Sequence, residues 1–355
     1  MKIIISLVSS LFLLLSCSKS RDYNYLSYED FPSKESLYAE IVHLDSATFR
    51  YPFRIFAEDS ILFIMDLHNI DNYFHAYTLN GHEHIASFGK RGEAPDEMLS
   101  GENFRFISRD SIWSLDANKR LLTRWGFNEQ GDSILQKGVI ALDKEILRPL
   151  DFVMYNDSTF IIPDYSGEYR FCWVDAHGHI INRTGKIPTE NKKAEESLPA
   201  LAQAWRSLID YNPRNGVLAA ATQLGEVLEI YNLKDSTHFV IEGPNGETHY
   251  SISGGYAIPD GIMGFTDIQV TDNYIYTAFQ GKTFKDISRN QGQLTDGGEH
   301  IYVFNLKGEP VAQYDLDHNI YAIQADEANN TIMALDVNYD QPVLTFKMTG
   351  MKKQH

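Results

Sequence analysis

Cysteine is nearly absent: Cys17 and Cys172 are the only two in 355 residues. A framework of several disulfides is therefore excluded, and the fold must rest on its own apolar core. Positive charge is also scarce, with 31 Lys and Arg against 48 Asp and Glu. No basic stripe offsets the excess, so the surface repels nucleic acid and anionic head groups. Three chemical signatures are missing as well. There is no G-x-S-x-G elbow to expose a nucleophilic serine, no glycine-rich phosphate loop and no C-x-x-C pair for zinc. Long apolar runs are limited to one uncharged stretch, Ile3–Leu15, whose 13 residues fall short of the ~20 needed to span a bilayer core.

That run has the length of a signal-peptide core, and Lys2 supplies the positive residue ahead of it. The following Leu14-Leu15-Ser16-Cys17 resembles a bacterial lipobox. The resemblance implies cleavage before Cys17 and acylation of that residue, with 1–16 as the signal peptide. An ordinary signal peptide and an uncleaved anchor are the competing readings. Cleavage removes one basic residue, Lys2, leaving 339 residues with 30 basic and 48 acidic side chains. Two or three acyl chains, at about 0.8 kcal/mol per buried methylene, would hold the protein durably on a membrane. Residues 17–35 are polar with scattered aromatics and read as a lipid-anchored tether. With Cys17 acylated, Cys172 has no partner, and its place in the apolar "YRFCWV" makes it inert core.

The rest of the chain consists of short runs rich in Ile, Val, Phe, Tyr and Trp between Gly, Asn and Asp turns, which is antiparallel β patterning. A turn followed by an apolar strand recurs at Asp59, Asp110, Asp157, Asn215, Asn273 and Asn330, in steps of 51, 47, 58, 58 and 57 residues. Four strands per unit and six units predict an all-β, six-bladed β-propeller over 36–350. Strands squeezed between neighbouring blades explain the runs that are apolar on both sides. The last unit supplies three strands, so Ser36–Asp45 is expected to close the ring as the fourth, removing a free sheet edge. A β-sandwich is the alternative that six in-phase copies disfavour. Three insertions break the pattern: 187–205, expected to hold a short helix, and the polar, Gly-rich loops 245–264 and 283–298.

The lipobox, the six units, "FGKRGEAPDEM" at 88–98, "YIYTAFQGK" at 274–282 and "HIYVFNLKGEPVAQYDLDHNIYAIQAD" at 300–326 together resemble the TolB-like six-bladed propeller lipoproteins of Bacteroidota. The resemblance covers the chain from Cys17 onward and speaks for the fold far more than for an activity. Surface-exported lipoproteins of that group resemble one another in an acidic run after the cysteine. "CSKSRD" has two bases before its first acid, which favours a periplasm-facing anchor.

Candidate site residues follow from the pattern. Asp66, Asp116, Asp164 and Asp336 end the second strand of four blades and should gather on one face. They are candidates for a Ca²⁺ site, although an Asp there also caps the next turn. In the loop after the first blade, Arg91 and Glu97 are candidate binding residues, Arg91 for a carboxylate or sulfate. The same loop also reads as a structural joint between blades. Gln280 and Lys282 are further binding candidates. The pairs His82/His84 and His177/His179 each offer half a metal site but read better as exposed turn residues. Tyr250 and Tyr256 stand in an insertion where they could stack on a sugar.

The expected function is a non-catalytic, membrane-anchored binding or scaffold protein for an envelope protein or oligosaccharide, with no cofactor. The alternative is a calcium- or other metal-dependent hydrolase or lactonase acting at the central channel.

Overall fold

A computed structural model describes residues 22–45, 48–289 and 295–349; Cys17 and the signal segment lie outside the described residues. Six four-stranded antiparallel units follow one another along the chain. Their inner strands are Pro52–Glu58, Asn103–Ser108, Val153–Asn156, Ser207–Asn212, Phe265–Val270 and Ala322–Asp326. The first five units run inner to outer in chain order, the connectivity of a propeller blade, and the sixth takes its outer strand from the N-terminal Glu40–Ile41.

The core sits between blades. Phe63 and Phe88 of blade 1 meet Phe104, Phe106 and Trp125 of blade 2. Trp113 and Leu115 pack on Phe152 and Phe160 at the next interface, and Ile161 and Phe171 on Ile209 and Leu218 at the third. Blades 5 and 6 join through Ile301, Val303, Ile332 and Phe346, while blade 6 meets blade 1 through Leu335, Val343, Ile55 and Leu62. Second strands are covered on both faces, so Ile61–Asp66 and Val217–Thr222 are buried at every position. This accounts for their unbroken apolar sequences.

The ring closes where the sequence predicts, on fewer residues. Ile41 pairs with Leu344 and Glu40 with Thr345, antiparallel, as the outer strand of blade 6. Val42 extends the pairing by donating to the Val343 carbonyl at 2.8 Å.

Part of the expected tether is folded. Asn24–Ser27 lies parallel to Thr237–Glu242 on the outer edge of blade 4, and Lys34–Leu37 lies parallel to Pro310–Ile320 on blade 5. Between them Tyr28 and Phe31 enter the core shared by blades 4 and 5. Phe31 lies 4.6 Å from the Tyr302 ring centroid and Tyr28 5.4 Å from Phe304. The Tyr28 hydroxyl donates to the buried Glu226 at 2.7 Å. The stretch looks polar because only these two positions bury fully, each flanked by exposed residues.

The first two insertions occupy connections between blades, and the third joins the second and third strands of blade 5. Leu198–Ala204 forms a short helix, capped by the Ser197 hydroxyl and preceded by a 3₁₀ turn at Lys192–Glu195. Residues 250–259 form a hairpin turned by Gly254 and Gly255, whose φ values of 59° and 83° suit glycine. Phe284–Arg289 is helical in the third insertion.

Candidate functional site

The inner strands surround a central funnel of about 1450 Å³. It opens on the face formed by the turns between first and second strands, the face that carries Asp59, Asn273 and Asn330. The rim is mainly acidic, with Glu58, Asp59, Asp272, Glu309, Asp326 and Glu327 outnumbering Arg214 and Lys307. Burial, then the neighbouring Asp59, raises the Glu58 carboxyl pKa. Arg214 is held by Asp272 at 2.7 Å.

Charged residues deeper in the funnel serve the ring. An inner strand presents one edge to the channel, where its N–H groups lack a strand partner. Side chains of the preceding blade supply acceptors. Asp151 accepts from the Ile209 amide at 2.9 Å, Asp210 from Val270 at 2.7 Å and Asp267 from Ile323 at 2.9 Å. Gln269 does the same for Ala325 at 2.6 Å. Two guanidinium groups brace the opposing side. Arg105 bonds Asp151 and the carbonyls of Phe152 and Ile209. Arg54 reaches the Thr266 carbonyl at 3.3 Å while stacking on Phe53 at 4.0 Å.

Asp267 illustrates the electrostatic cost. Burial pushes its carboxyl up to about 6, although Arg54, 3.9 Å away, and the Ile323 amide pull it down. Burial raises Asp210 as well. A carboxyl with a folded pKa above its unfolded value holds a proton in the native state that the unfolded chain has released. The contribution of Asp267 to stability therefore falls as pH rises from about 4 to about 6. The shift of roughly two units corresponds to about 2–3 kcal/mol. Asp267→Asn should flatten this dependence, read as the difference in urea midpoint between pH 4.5 and 6.5. An undiminished difference would refute the assignment.

On the opposite face, the four strand-ending aspartates serve as caps. Asp66 accepts from the amides of Arg50, Tyr51 and His68 at 2.9, 2.8 and 3.2 Å. Asp116 accepts from Leu99, Ser100 and Lys119. Each thus ties the end of a second strand to the segment entering its own blade. Asp164 takes the Ser166 amide and lies near Arg183 and the Cys172 thiol. Asp336 bonds Asn338 and lies 3.1 Å from His318 Nδ1. They sit in separate turns. Among the described residues, no three His, Cys, Asp or Glu side chains converge to hold a metal ion.

The loop after blade 1 is a joint. Arg91 donates to the carbonyls of Leu67 and Asn69, both at 3.1 Å, and lies over Tyr73. Glu97 bonds Lys90 at 2.6 Å and the Ala94 amide at 3.0 Å. A Cβ at Gly92 would fall 1.9 Å from a Glu97 oxygen, so this carboxylate needs the glycine. Lys119 fastens the loop to blade 2 through the carbonyls of Ala94 and Glu97. Lys282 holds the third insertion through Thr295, Gly297 and Asn319, and burial lowers its pKa. Gln280 anchors through its backbone, donating to Gly264 at 2.9 Å.

The histidine pairs do not assemble ligand sets. His84 lies 2.9 Å from the Ser87 hydroxyl, whereas His82 sits in the turn at φ 56°. The amides of His177 and His179 donate to Asp175. Cys172 is a free thiol in the core, pushed up to about 12 by burial and then by Asp164.

The surface feature missed by single-residue reading is a platform made by the first two insertions. Ala200, Leu201, Ala204 and Trp205 pack against Tyr250 and Ala257 over blade 4. Ala257 donates to Gln203 at 3.0 Å, and Ser197 donates to the Gly255 carbonyl. Register places Ser251 opposite Ile258 and Ser253 opposite Tyr256. With Ala257 and Tyr250 turned inward, the outward face carries Tyr256 at 65% exposure and Ile258 at 49%, beside Leu198 at 39%. The period-two alternation of Tyr256-Ala257-Ile258 was the available signal. The hairpin's buttress is a helix some 50 residues earlier in the chain, so this inward–outward assignment needed the fold.

Residues 30–328 match the TolB-like 6-blade propeller-like family. A solved structure of a Bacteroides fragilis protein described as exported shares 11% identity at a TM-score of 0.58, covering 91% of this chain and 99% of that one. A member of the duf4221 family from Bacteroides vulgatus also shares 11% identity, at TM-score 0.51 with 88% and 96% covered. No curated protein matches the chain.

Proposed function

The chain belongs to the TolB-like six-bladed propeller family, and from that premise we propose that it is a lipid-anchored binding protein of the bacterial cell envelope, without catalysis of its own. Acylation of Cys17 supplies the anchor and, with two bases in "CSKSRD", favours the periplasmic side. The observation that carries the binding role is the insertion platform, which presents Tyr256 and Ile258 to solvent on a rigid base. A large aromatic beside an aliphatic side chain on a supported hairpin makes a protein-docking surface, with area available at little entropic cost. Ile258 beside the ring favours an envelope protein over an oligosaccharide. The exported description of the Bacteroides fragilis protein fits the same compartment. The hydrolase alternative gains no support from the deeper carboxylates Asp151, Asp210 and Asp267, each of which accepts a backbone amide of the next blade.

A photo-cross-linking residue placed at 256 in the lipidated protein, irradiated in its own membrane, should give a discrete adduct. Ile258→Asp should remove most of it. The same group at exposed Ile181, on the outer strand of blade 3, should give none. Equal adducts at both positions would sink the platform as the docking surface.

A further inference from the structure

We infer that the anchored protein stands with its funnel mouth toward the membrane and its insertion platform away from it. The inference rests on the proposed lipid at Cys17 and otherwise on chain direction. Asn24–Ser27 runs parallel to Thr237–Glu242. That outer strand begins at the turn 232–236, on the mouth face, where Lys234 donates to the carbonyl of the funnel-lining Arg214. The N-terminal strand therefore begins at the mouth face as well. Tyr23 rests against His238, and Asn24 bonds the His238 carbonyl there.

Reach decides the orientation. Seven peptide units separate Cys17 from Asn24, and at ~3.3–3.6 Å each they span at most about 25 Å. Six residues of the adjoining strand, Thr237–Glu242, already extend about 20 Å. To lay the opposite face on the bilayer, the leash would be spent along the side of blade 4 before reaching the hairpin beyond it. Turning the mouth to the membrane requires no such detour. The acidic rim opposes flush contact with anionic head groups, so the mouth stands off within the leash length. The funnel is then open to molecules at the lipid surface, and the platform to partners farther away.

The test uses the full lipidated chain in vesicles of zwitterionic lipid carrying a head-group acceptor dye. Donor dyes are attached at Lys307→Cys, on the mouth face, or at Asp96→Cys, in the loop on the opposite face. Acylated Cys17 and buried Cys172 leave the introduced thiol as the reactive one. Energy transfer should be several-fold greater from position 307. A leash lengthened by 20 Gly/Ser residues between Cys17 and Asp22 should largely erase the difference. Equal or reversed transfer with the native leash overturns the orientation. Failure of lipid attachment gives a separate result: the protein, like Cys17→Ala, would not float with vesicles, and its mass would lack acyl chains.

Discussion

Glu229→Ala should lower the unfolding free energy by about 3–5 kcal/mol, the effect of leaving a buried charge without its partner. Glu229 and Arg170 are buried between blades 3 and 4, with their closest atoms 2.7 Å apart. The guanidinium also donates to the Trp205 carbonyl and the Ser207 hydroxyl, and the second Glu229 oxygen accepts from Tyr231 at 2.6 Å. Burial works against the charge on Arg170, while Glu229 raises its pKa and keeps it protonated. Removing the acid leaves the opposing contribution alone. The double variant Arg170→Met/Glu229→Leu should recover most of the loss, because similar-sized apolar groups need no charge solvation. Urea unfolding of both variants checks this. A double variant as unstable as the single would show that packing geometry, rather than the unpaired charge, sets the effect.

The second large effect is expected from the N-terminal segment. Tyr28→Ala and Phe31→Ala should each cost about 3–5 kcal/mol, as for other fully buried aromatics. Their ring centroids are 5.1 Å apart, so the pair should lose less than the sum. Tyr28→Ala also strips a donor from Glu226, leaving Asn245 to serve it. Tyr25→Ala provides the control, since that side chain is 41% exposed and substitution should change little. Chemical denaturation of residues 22–355 would distinguish these outcomes. If Phe31→Ala were as mild as Tyr25→Ala, the segment would be a tether after all.

The ring was legible because its signal repeats. Asp59, Asp110, Asp157, Asn215, Asn273 and Asn330 occupy the same turn of six blades, so an error at one position was outvoted by the others. The closing strand followed from counting strands. The folded N-terminal segment has no repeat to vote for it, and its parallel pairing with blades 4 and 5 depends on residues some 200 or more positions away. At the level of sites, the sequence pointed to charged residues at strand ends, and the structure engages Asp66, Asp116 and Arg91 in local backbone bonds. The channel residues carried a readable mark that went unused. "PFRIFA", "NFRFIS", "SLIDYN" and "FTDIQV" each place a single charge amid apolar inner-strand neighbours. Which of those charges bonds the next blade depends on ring geometry, not on spacing within one strand.

The pairing of Glu40–Ile41 with Val343–Lys347 also sets an order of events. Glu40 and its ion-pair partner Lys347 are separated by 307 positions, and contacts that distant form late because a very long loop must close first. If the chain is exported N-terminus first and carries the proposed lipid at Cys17, it is fixed to the membrane while blade 6 still lacks its final strands. Until residues near 343 arrive, Glu40–Ile41 and the half-built blade present open sheet edges to one another and to other chains. Anchored before closure, unfinished rings would be crowded in a single plane, making the interval before the last strand the period of greatest exposure to mispairing.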